Sequence, residues 1–153
     1  MSEAFNRAEY EAVRRVLLRF YNIIITDSGT GVVHSAMGGA LAGTTTLVIA
    51  GAPTVDGASR ASKTLDWLDA HGYSHLVENA VVALSCDRHS RDVKRESLVN
   101  HFATRCRAVV EIPPDPHLAV GGVISLDLLR RSTRDAFLQL AALVAEQFSR
   151  SPS

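Results

Sequence analysis

The chain has 153 residues and a formal net charge of +0, with 16 basic and 16 acidic side chains. A chain of this length can bury roughly two-thirds of its unfolded surface, so one core suffices without disulfides. With no net charge there is no overall field to hold nucleic acid or an anionic membrane, and the sequence has no apolar run of about 18 residues. We therefore predict a soluble, cytoplasmic protein that binds no nucleic acid directly and does not insert into a membrane.

The first two predicted elements are an amphipathic helix and a buried strand. Asn6 is a good N-cap residue, and apolar side chains follow it at helical spacing as far as Phe20. The period changes at Tyr21–Thr26, a β-branched run too apolar to alternate, which is typical of a parallel strand covered on both faces. This strand is predicted to end at Asp27.

Three further strands alternate with helices along the rest of the chain. The predicted strands are Thr45–Ala50, Ala80–Ser85 and Ala108–Ile112. One predicted helix covers about 34–42, and the next runs from a cap at Asp56 to His71, with Gly72 as its stop. A further helix lies around Leu98–Phe102. The last covers Thr133–Phe148, where an apolar stripe is formed by Phe137, Leu140, Val144 and Phe148. This alternation predicts an α/β fold with a mostly parallel sheet of about four strands flanked by helices. We expect one domain over residues 1–148 and a frayed tail at 149–153.

The most informative loop follows the first predicted strand. Ligands of open parallel sheets bind beyond the carboxyl ends of the strands, and here the sequence after Asp27 is Ser28, Gly29, Thr30 and Gly31. A carboxylate at this edge can orient a water on Mg²⁺, and glycines let backbone N–H groups approach a phosphate. The alternative is that Asp27 caps the loop and the glycines only supply turns with positive φ. The sequence leaves both interpretations open.

The sequence has no phosphate-binding P-loop. The nearest match to GxxxxGK[ST] is Gly38–Thr45, where Thr44 stands in place of the lysine, and this segment leaves a helix and opens a strand, the reverse of a P-loop. Ser28 is not a nucleophile elbow, because Thr26 stands where GxSxG requires glycine. The two cysteines and six histidines lack the spacing of metal ligands.

Four motifs in succession resemble the C-terminal half of MinD/ParA-like ATPases, in particular the actinobacterial branch that includes the EspI-like proteins of ESX (type VII) secretion loci. The motifs are Tyr21–Gly31, Pro53–Ala58, Leu65–Leu68 and Pro113–Leu118. The resemblance implies a partial P-loop-NTPase-like, Rossmann-like domain. In such ATPases the P-loop and a signature lysine lie upstream of the region seen here, and dimerisation sandwiches ATP between subunits.

The resemblance also implies roles for individual residues. It places Asp27 at the Walker B-like position, where it would be catalytic and would bind Mg²⁺ through water only if a P-loop is supplied. The nucleotide-binding positions that it implies are Gly29, Thr30 and Gly31 in the switch loop, and Arg88, Pro113, Pro114 and Asp115 around the adenine base. The family often has asparagine at the end of the third strand, where this chain has Ser85–Asp87. For Arg88 the alternative is a solvated loop charge.

Without a P-loop, the carboxylate of Asp27 has no phosphate to act on, because the P-loop lysine and backbone supply most of the electrostatic stabilisation. The sequence therefore predicts a non-hydrolysing association or regulatory module of secretion or partition machinery, with no certain cofactor and with ATP and Mg²⁺ only beside a P-loop partner. The alternative is half of a composite ATPase whose P-loop comes from another chain. An uncovered sheet edge further predicts a homodimer or a complex with a P-loop-bearing chain.

Overall fold

The computed structural model describes residues 7–29, 35–86 and 95–148. The chain divides into two compact units, Met1–Thr44 and Thr45–Ser153. The first unit contains helices α1 (Arg7–Leu17) and α2 (Ser35–Ala42). Both helices confirm the sequence prediction, whereas the predicted N-cap Asn6 lies outside the described residues.

The two helices of the first unit pack against each other. The guanidinium of Arg14 donates from Nη2 to the carbonyl oxygen of Gly43 over 2.9 Å, so it satisfies a backbone group just after the end of α2. The hydroxyl of Thr44 donates to the carbonyl of Ala40 over 2.7 Å. A Cβ on Gly39 would lie 3.0 Å from the Arg7 side chain, so the glycine permits the close approach of the helices.

The predicted strand at Tyr21–Thr26 is wrong. The structure describes this segment without strand pairing, and its side chains are largely exposed, with Ile25 91% accessible. It contacts α1 through a hydrogen bond of 2.7 Å between the Tyr10 hydroxyl and Thr26 Oγ1, and through the N–H of Tyr21, which donates to the carbonyl of Leu17 over 2.9 Å. Local β-propensity describes a fit to a half-buried pleated surface, so an apolar run becomes a strand only beside another strand. None is present among the described residues of this unit.

The second unit contains a three-stranded parallel sheet of order β1-β2-β3. The strands are β1 (Val48–Gly51), β2 (Val81–Ser85) and β3 (Ala108–Ile112). The helices are α3 (Val55–Ala70), α4 (Ser74–Glu78), α5 (Arg95–Ala103), α6 (Pro116–Val120) and α7 (Arg131–Ala145), with a 3₁₀ turn at Leu126–Leu128. The predicted α/β fold with a parallel sheet and flanking helices is confirmed, with three strands in the described residues instead of about four.

The central strand β2 is buried along Val81–Leu84, which explains why its sequence does not alternate. Helix α7 packs against β2 and β3, while α3 contacts β1 and α5 contacts β3. On the α3 and α5 side, Leu65 and Phe102 are both 0% exposed. The sheet is therefore covered by helices whose apolar residues form the core.

The buried face of α7 differs from the predicted stripe. Thr133 and Ala136 are buried, and Ala136 joins Val81 and Val110 in one core cluster against which Leu140 packs. Phe137 remains 37% exposed and Phe148 46% exposed. The contact face is thus rotated relative to the predicted stripe, and it includes the small side chains of Thr133 and Ala136.

Helix α3 begins at a tight turn after β1. Thr54 is the N-cap, and its Oγ1 accepts a hydrogen bond of 3.0 Å from the N–H of Gly57. The predicted cap Asp56 instead lies in the first turn of the helix, where a negative charge opposes the positive end of the helix dipole. At the other end Gly72 has φ +84°, as expected of a glycine that stops a helix.

Candidate functional site

A cleft of about 630 Å³ lies at the carboxyl ends of β2 and β3. This is the edge at which open parallel sheets bind their ligands. Its lining residues are Ser85, Cys86, Pro113, Pro114, Asp115, Pro116, Leu118 and Ala119. Three of the predicted nucleotide-binding residues, which follow β3, therefore lie beside the end of β2: Pro113, Pro114 and Asp115.

The cleft lies where the pairing of β2 and β3 ends. The N–H of Cys86 donates to the carbonyl of Ile112 over 2.9 Å, which continues the pairing to the last residue of β3. Pro113 and Pro114 lack an N–H and cannot extend the ladder. The chain therefore turns into α6, and the two prolines form one wall beside the end of β2.

Asp115 is buried beneath that wall, at 6% exposure. Its Oδ1 accepts the N–H of His117 over 2.9 Å, which caps α6, and its Oδ2 accepts the N–H of Arg130 over 2.8 Å, just before α7. Both carboxylate oxygens are thus engaged by backbone donors. The side chain shapes the cleft by joining the loop after β3 to the segment that leads into α7.

These contacts set the ionisation of Asp115. Burial by itself raises the pKa of this carboxyl. The backbone hydrogen bond from Arg130 lowers the pKa, as do smaller effects of Thr133, the N–H of His117 and the Arg130 charge. Together they outweigh burial, so the pKa is lowered. The Thr133 hydroxyl contributes in this direction although its buried Oγ1 makes no well-formed hydrogen bond. The charged form is the one that the fold stabilises.

Sequence reasoning missed this capping role and the contact of the adjacent histidine. Aspartate followed by proline at the first helical position is a helix-start signature, so the signal was present at Asp115–Pro116. The Nε2 atom of His117 accepts the N–H of Ser125 over 2.9 Å. Nε2 is the acceptor in this contact, because a backbone N–H can only donate. No local sequence pattern predicts this contact, because it joins residues on opposite sides of a loop.

Asp27 and Gly29 lie in the first unit, in the geometry of a local turn. The N–H of Gly29 donates to Asp27 Oδ1 over 3.0 Å, and Gly29 has φ +64°. This is the capping arrangement that the sequence left open as an alternative. The proposed Mg²⁺ role of Asp27 stays a prediction, while Thr30, Gly31 and Arg88 lie outside the described residues.

Within residues 7–29, 35–86 and 95–148, no three histidine, cysteine, aspartate or glutamate side chains cluster in a way that could hold a metal ion. Both cysteines are buried, and no disulfide joins them. Burial raises the pKa of the Cys106 thiol, an effect partly opposed by the adjacent Arg105 charge and reinforced by Asp69. None of the described helices has both the length and the apolar character needed to cross a bilayer.

The parallel sheet, its covering helices and the cleft at the strand ends define an α/β protein of partial Rossmann-like architecture. The chain is 33% identical over 151 residues to the ESX-1 secretion-associated protein EspI of Mycobacterium tuberculosis, in both the CDC 1551 / Oshkosh and the H37Rv strains. The alignment covers 97% of this chain but 23% of each relative, so the chain spans about a quarter of their length. No protein-family model and no solved structure matches the chain.

This similarity supports the predicted resemblance to the ESX-associated branch, since it extends over nearly the whole chain. The resemblance to MinD/ParA ATPases stays a prediction.

Proposed function

We propose that this chain is an association or regulatory module of a type VII secretion apparatus, MinD/ParA-like in origin, which acts in the cytoplasm and does not hydrolyse ATP by itself. The similarity to an ESX-1 secretion-associated protein over 97% of the chain carries the assignment to secretion. The sequence also allowed a role in partition machinery, and no similarity to a partition protein supports that role.

The lack of hydrolysis follows from the missing phosphate cradle. The segment nearest to a P-loop, Gly38–Thr45, lies largely inside helix α2, and the carbonyl of Gly43 accepts a hydrogen bond from Arg14. A P-loop instead joins a strand to a helix and points its backbone N–H groups at the phosphates. With neither this loop nor its lysine, the 153 residues lack the groups that stabilise a transferring phosphoryl group.

The cleft fits a base better than a polyphosphate. Its volume of about 630 Å³ is within the range of small-molecule sites, and Pro113, Pro114 and Leu118 offer an apolar surface for a flat ring. Among the lining residues that the structure describes, none is cationic, and Asp115 is the charged one. This described part of the lining offers no charge to compensate a triphosphate, so we expect the cleft to contact the base side of a nucleotide.

The test compares adenosine with Mg·ATP by titration calorimetry and measures phosphate release. We expect similar affinities for the two ligands and no turnover. Ala119→Trp, which fills the cleft, should abolish binding, while Ala70→Trp on the exposed surface of α3 should leave it unchanged. Turnover of ATP by the purified chain that Asp27→Ala abolishes would contradict the proposal.

The second candidate is half of a composite ATPase, favoured by a cleft whose described lining has an apolar surface suited to a base and no cation suited to a phosphate. In that case a P-loop-bearing chain supplies the phosphate cradle and Asp27 lies on the Mg²⁺ side. The two chains should co-purify and associate more tightly with Mg·ATP, and Asp27→Ala should remove turnover of the complex. If substitution of Asp27 and Thr30 leaves partner binding unchanged, the nucleotide role is vestigial and the association role remains.

A further inference from the structure

The peptide groups of Tyr21–Thr26, the segment after α1, are available for pairing. The N–H of Tyr21 donates to the carbonyl of Leu17 over 2.9 Å, which continues the bonding of the helix end. In the described part of the chain, no backbone hydrogen bond involves residues 22–26. A run of unpaired N–H and C=O groups is a template on which a strand of another chain can pair.

The side chains of this segment favour a strand and leave apolar surface exposed. Five of the six residues are aromatic or β-branched, the types that are enriched in strands. Tyr21 is 59% exposed, Ile23 57% and Ile25 91%, whereas Ile24 is half-buried. The exposed apolar side chains therefore stand at every second position, as they do on one face of a strand.

Both ends of the segment are held within its own unit. The bond from Tyr21 fixes the start. At the other end the Tyr10 hydroxyl lies 2.7 Å from Thr26 Oγ1, and Asp27 Oδ1 accepts the N–H of Gly29 over 3.0 Å. A segment restrained at both ends loses less conformational entropy when a partner orders the residues between them.

The net charge beside the segment has opposite signs at its two ends. None of residues 20–26 is charged. The start follows the basic half of α1, and the contact of Thr26 with Tyr10 brings the other end beside the acidic half. The basic side chains are Arg14, Arg15 and Arg19, and the charged side chains at the other end are Arg7, Glu9, Glu11 and Asp27. A complementary strand therefore has an uncharged middle, an acid near one end and a base near the other.

A sheet of another protein fits this surface better than a lipid or a second copy. Hydrocarbon offers no hydrogen bonds, so a membrane would leave the peptide groups of residues 22–26 unsatisfied. Two copies of the segment would form a two-stranded ribbon, which is marginal, whereas three strands can be stable. The edge strands of a second copy lack the charge pattern, since residues 44–55 around β1 carry no charge and β3 contains Glu111.

We propose that Tyr21–Thr26 becomes a strand by pairing with the edge strand of a sheet in another polypeptide. Main-chain hydrogen bonds to residues 22–26 supply the affinity, and aliphatic side chains at alternate positions of the partner cover Ile23 and Ile25. The partner needs no phosphate-binding loop. The proposal rests on the association role given above and deepens it by naming the kind of surface that the module recognises.

A synthetic β-hairpin is the probe, because its two strands and the segment together make three. The hairpin has an Asn-Gly turn, alternating valine and threonine, and an acid and a base at opposite ends of one strand. We expect saturable binding to the full chain below about 1 mM by titration calorimetry. Amide hydrogen exchange should slow at least about tenfold at alternate residues within 22–26. The same hairpin with the outward-facing amides of that strand N-methylated should not bind.

Substitutions in the segment test the side-chain contacts. Ile23→Asp and Ile25→Asp should each weaken binding of the hairpin at least about tenfold, because a charge would be buried in place of an aliphatic side chain. Val55→Asp is the matched control, since Val55 is 71% exposed and lies at the start of α3. Circular dichroism of each variant confirms that it folds.

Several outcomes would overturn the proposal. They are no binding up to about 1 mM, equal binding of the methylated hairpin, and binding that both aspartate variants leave unchanged. A dimer of the chain alone, or binding to anionic phospholipid vesicles, that Ile23→Asp abolishes would also overturn it, because the occupant would then be a second copy or a lipid surface. Adenosine binding and phosphate release are measured without the hairpin, so failure of the strand pairing and failure of the proposed function are distinguishable.

Discussion

Substitution of Gly57 by alanine tests how closely α3 approaches the turn that follows β1. A Cβ at this position would lie far inside van der Waals contact with the carbonyl oxygen of Ala52, and 3.0 Å from the carbonyl carbon and the nitrogen of the same residue. These are backbone atoms, so a side-chain rotation cannot relieve the overlap. The helix or the turn must move.

The expected magnitude follows from two opposing effects. Alanine in place of glycine inside a helix gains about 0.5–1 kcal/mol, because the unfolded chain loses less entropy. Overpacking against a rigid neighbour costs about 1–3 kcal/mol and occasionally more. Movement of α3 also strains the cap, in which Gly57 donates its N–H to Thr54 Oγ1 over 3.0 Å. We therefore expect Gly57→Ala to lower the free energy of unfolding by about 1–2 kcal/mol.

Urea unfolding followed by far-ultraviolet circular dichroism measures this change, and thermal unfolding should show a fall of about 4 °C for each kcal/mol. Ser59→Ala is the matched control, since Ser59 is exposed two residues further along the same helix. It should stabilise the protein by a few tenths of a kcal/mol through helix propensity. If Gly57→Ala is as stable as the wild type or more stable, the close approach of α3 to Ala52 is refuted.

Three further predictions concern the core, an ion-pair network and pH. Leu65→Ala should lower the free energy of unfolding by about 2–5 kcal/mol, because the side chain is 0% exposed, and chemical denaturation checks this. Arg107→Met should cost about 1–3 kcal/mol, since it removes hydrogen bonds of 3.0 Å to Glu146 and 2.5 Å to the carbonyl of Leu143; an unchanged unfolding midpoint would show that neither bond stabilises the fold. The pKa of Asp115 is lower in the folded state than its ordinary 3.8, so its contribution to stability is complete above that pH and is lost as pH falls through the folded value. Asp115→Asn should therefore flatten the acid limb of the stability curve, which unfolding midpoints measured from pH 5 down to about pH 2 test.

Much of the second unit could be predicted from sequence because its signals are local or strongly periodic. The apolar run at Ala80–Ser85 predicts a strand, and the observed strand is Val81–Ser85. The turn signal at Pro113–Pro114 predicts where the neighbouring strand ends. Parallel pairing brings those two ends to one edge, where the cleft lies. The carboxyl edge could therefore be predicted from secondary structure and one rule about open sheets, whereas Pro113, Pro114 and Asp115 were named from the family resemblance.

The details of that site depended on contacts between distant residues. Asp115 accepts the N–H of Arg130, 15 residues away, so its carboxylate is engaged in a way that nucleotide motifs do not reveal. The cap of α3 moved from Asp56 to Thr54, because cap geometry depends on backbone angles and not on residue type alone. The spacing of apolar residues likewise does not predict that the aliphatic side chains of residues 120–128 are exposed.

The segment Tyr21–Thr26 shows most clearly where sequence information ends. Its composition favours an extended backbone, because β-branched residues restrict local conformation. Whether it becomes a strand depends on a neighbour that completes its hydrogen bonds, and the described residues of its unit contain none. Composition and period thus determined the α/β class and the carboxyl edge, while tertiary structure decided which apolar runs are covered and which carboxylates are engaged, since burial and pairing are properties of residues brought together from distant parts of the chain.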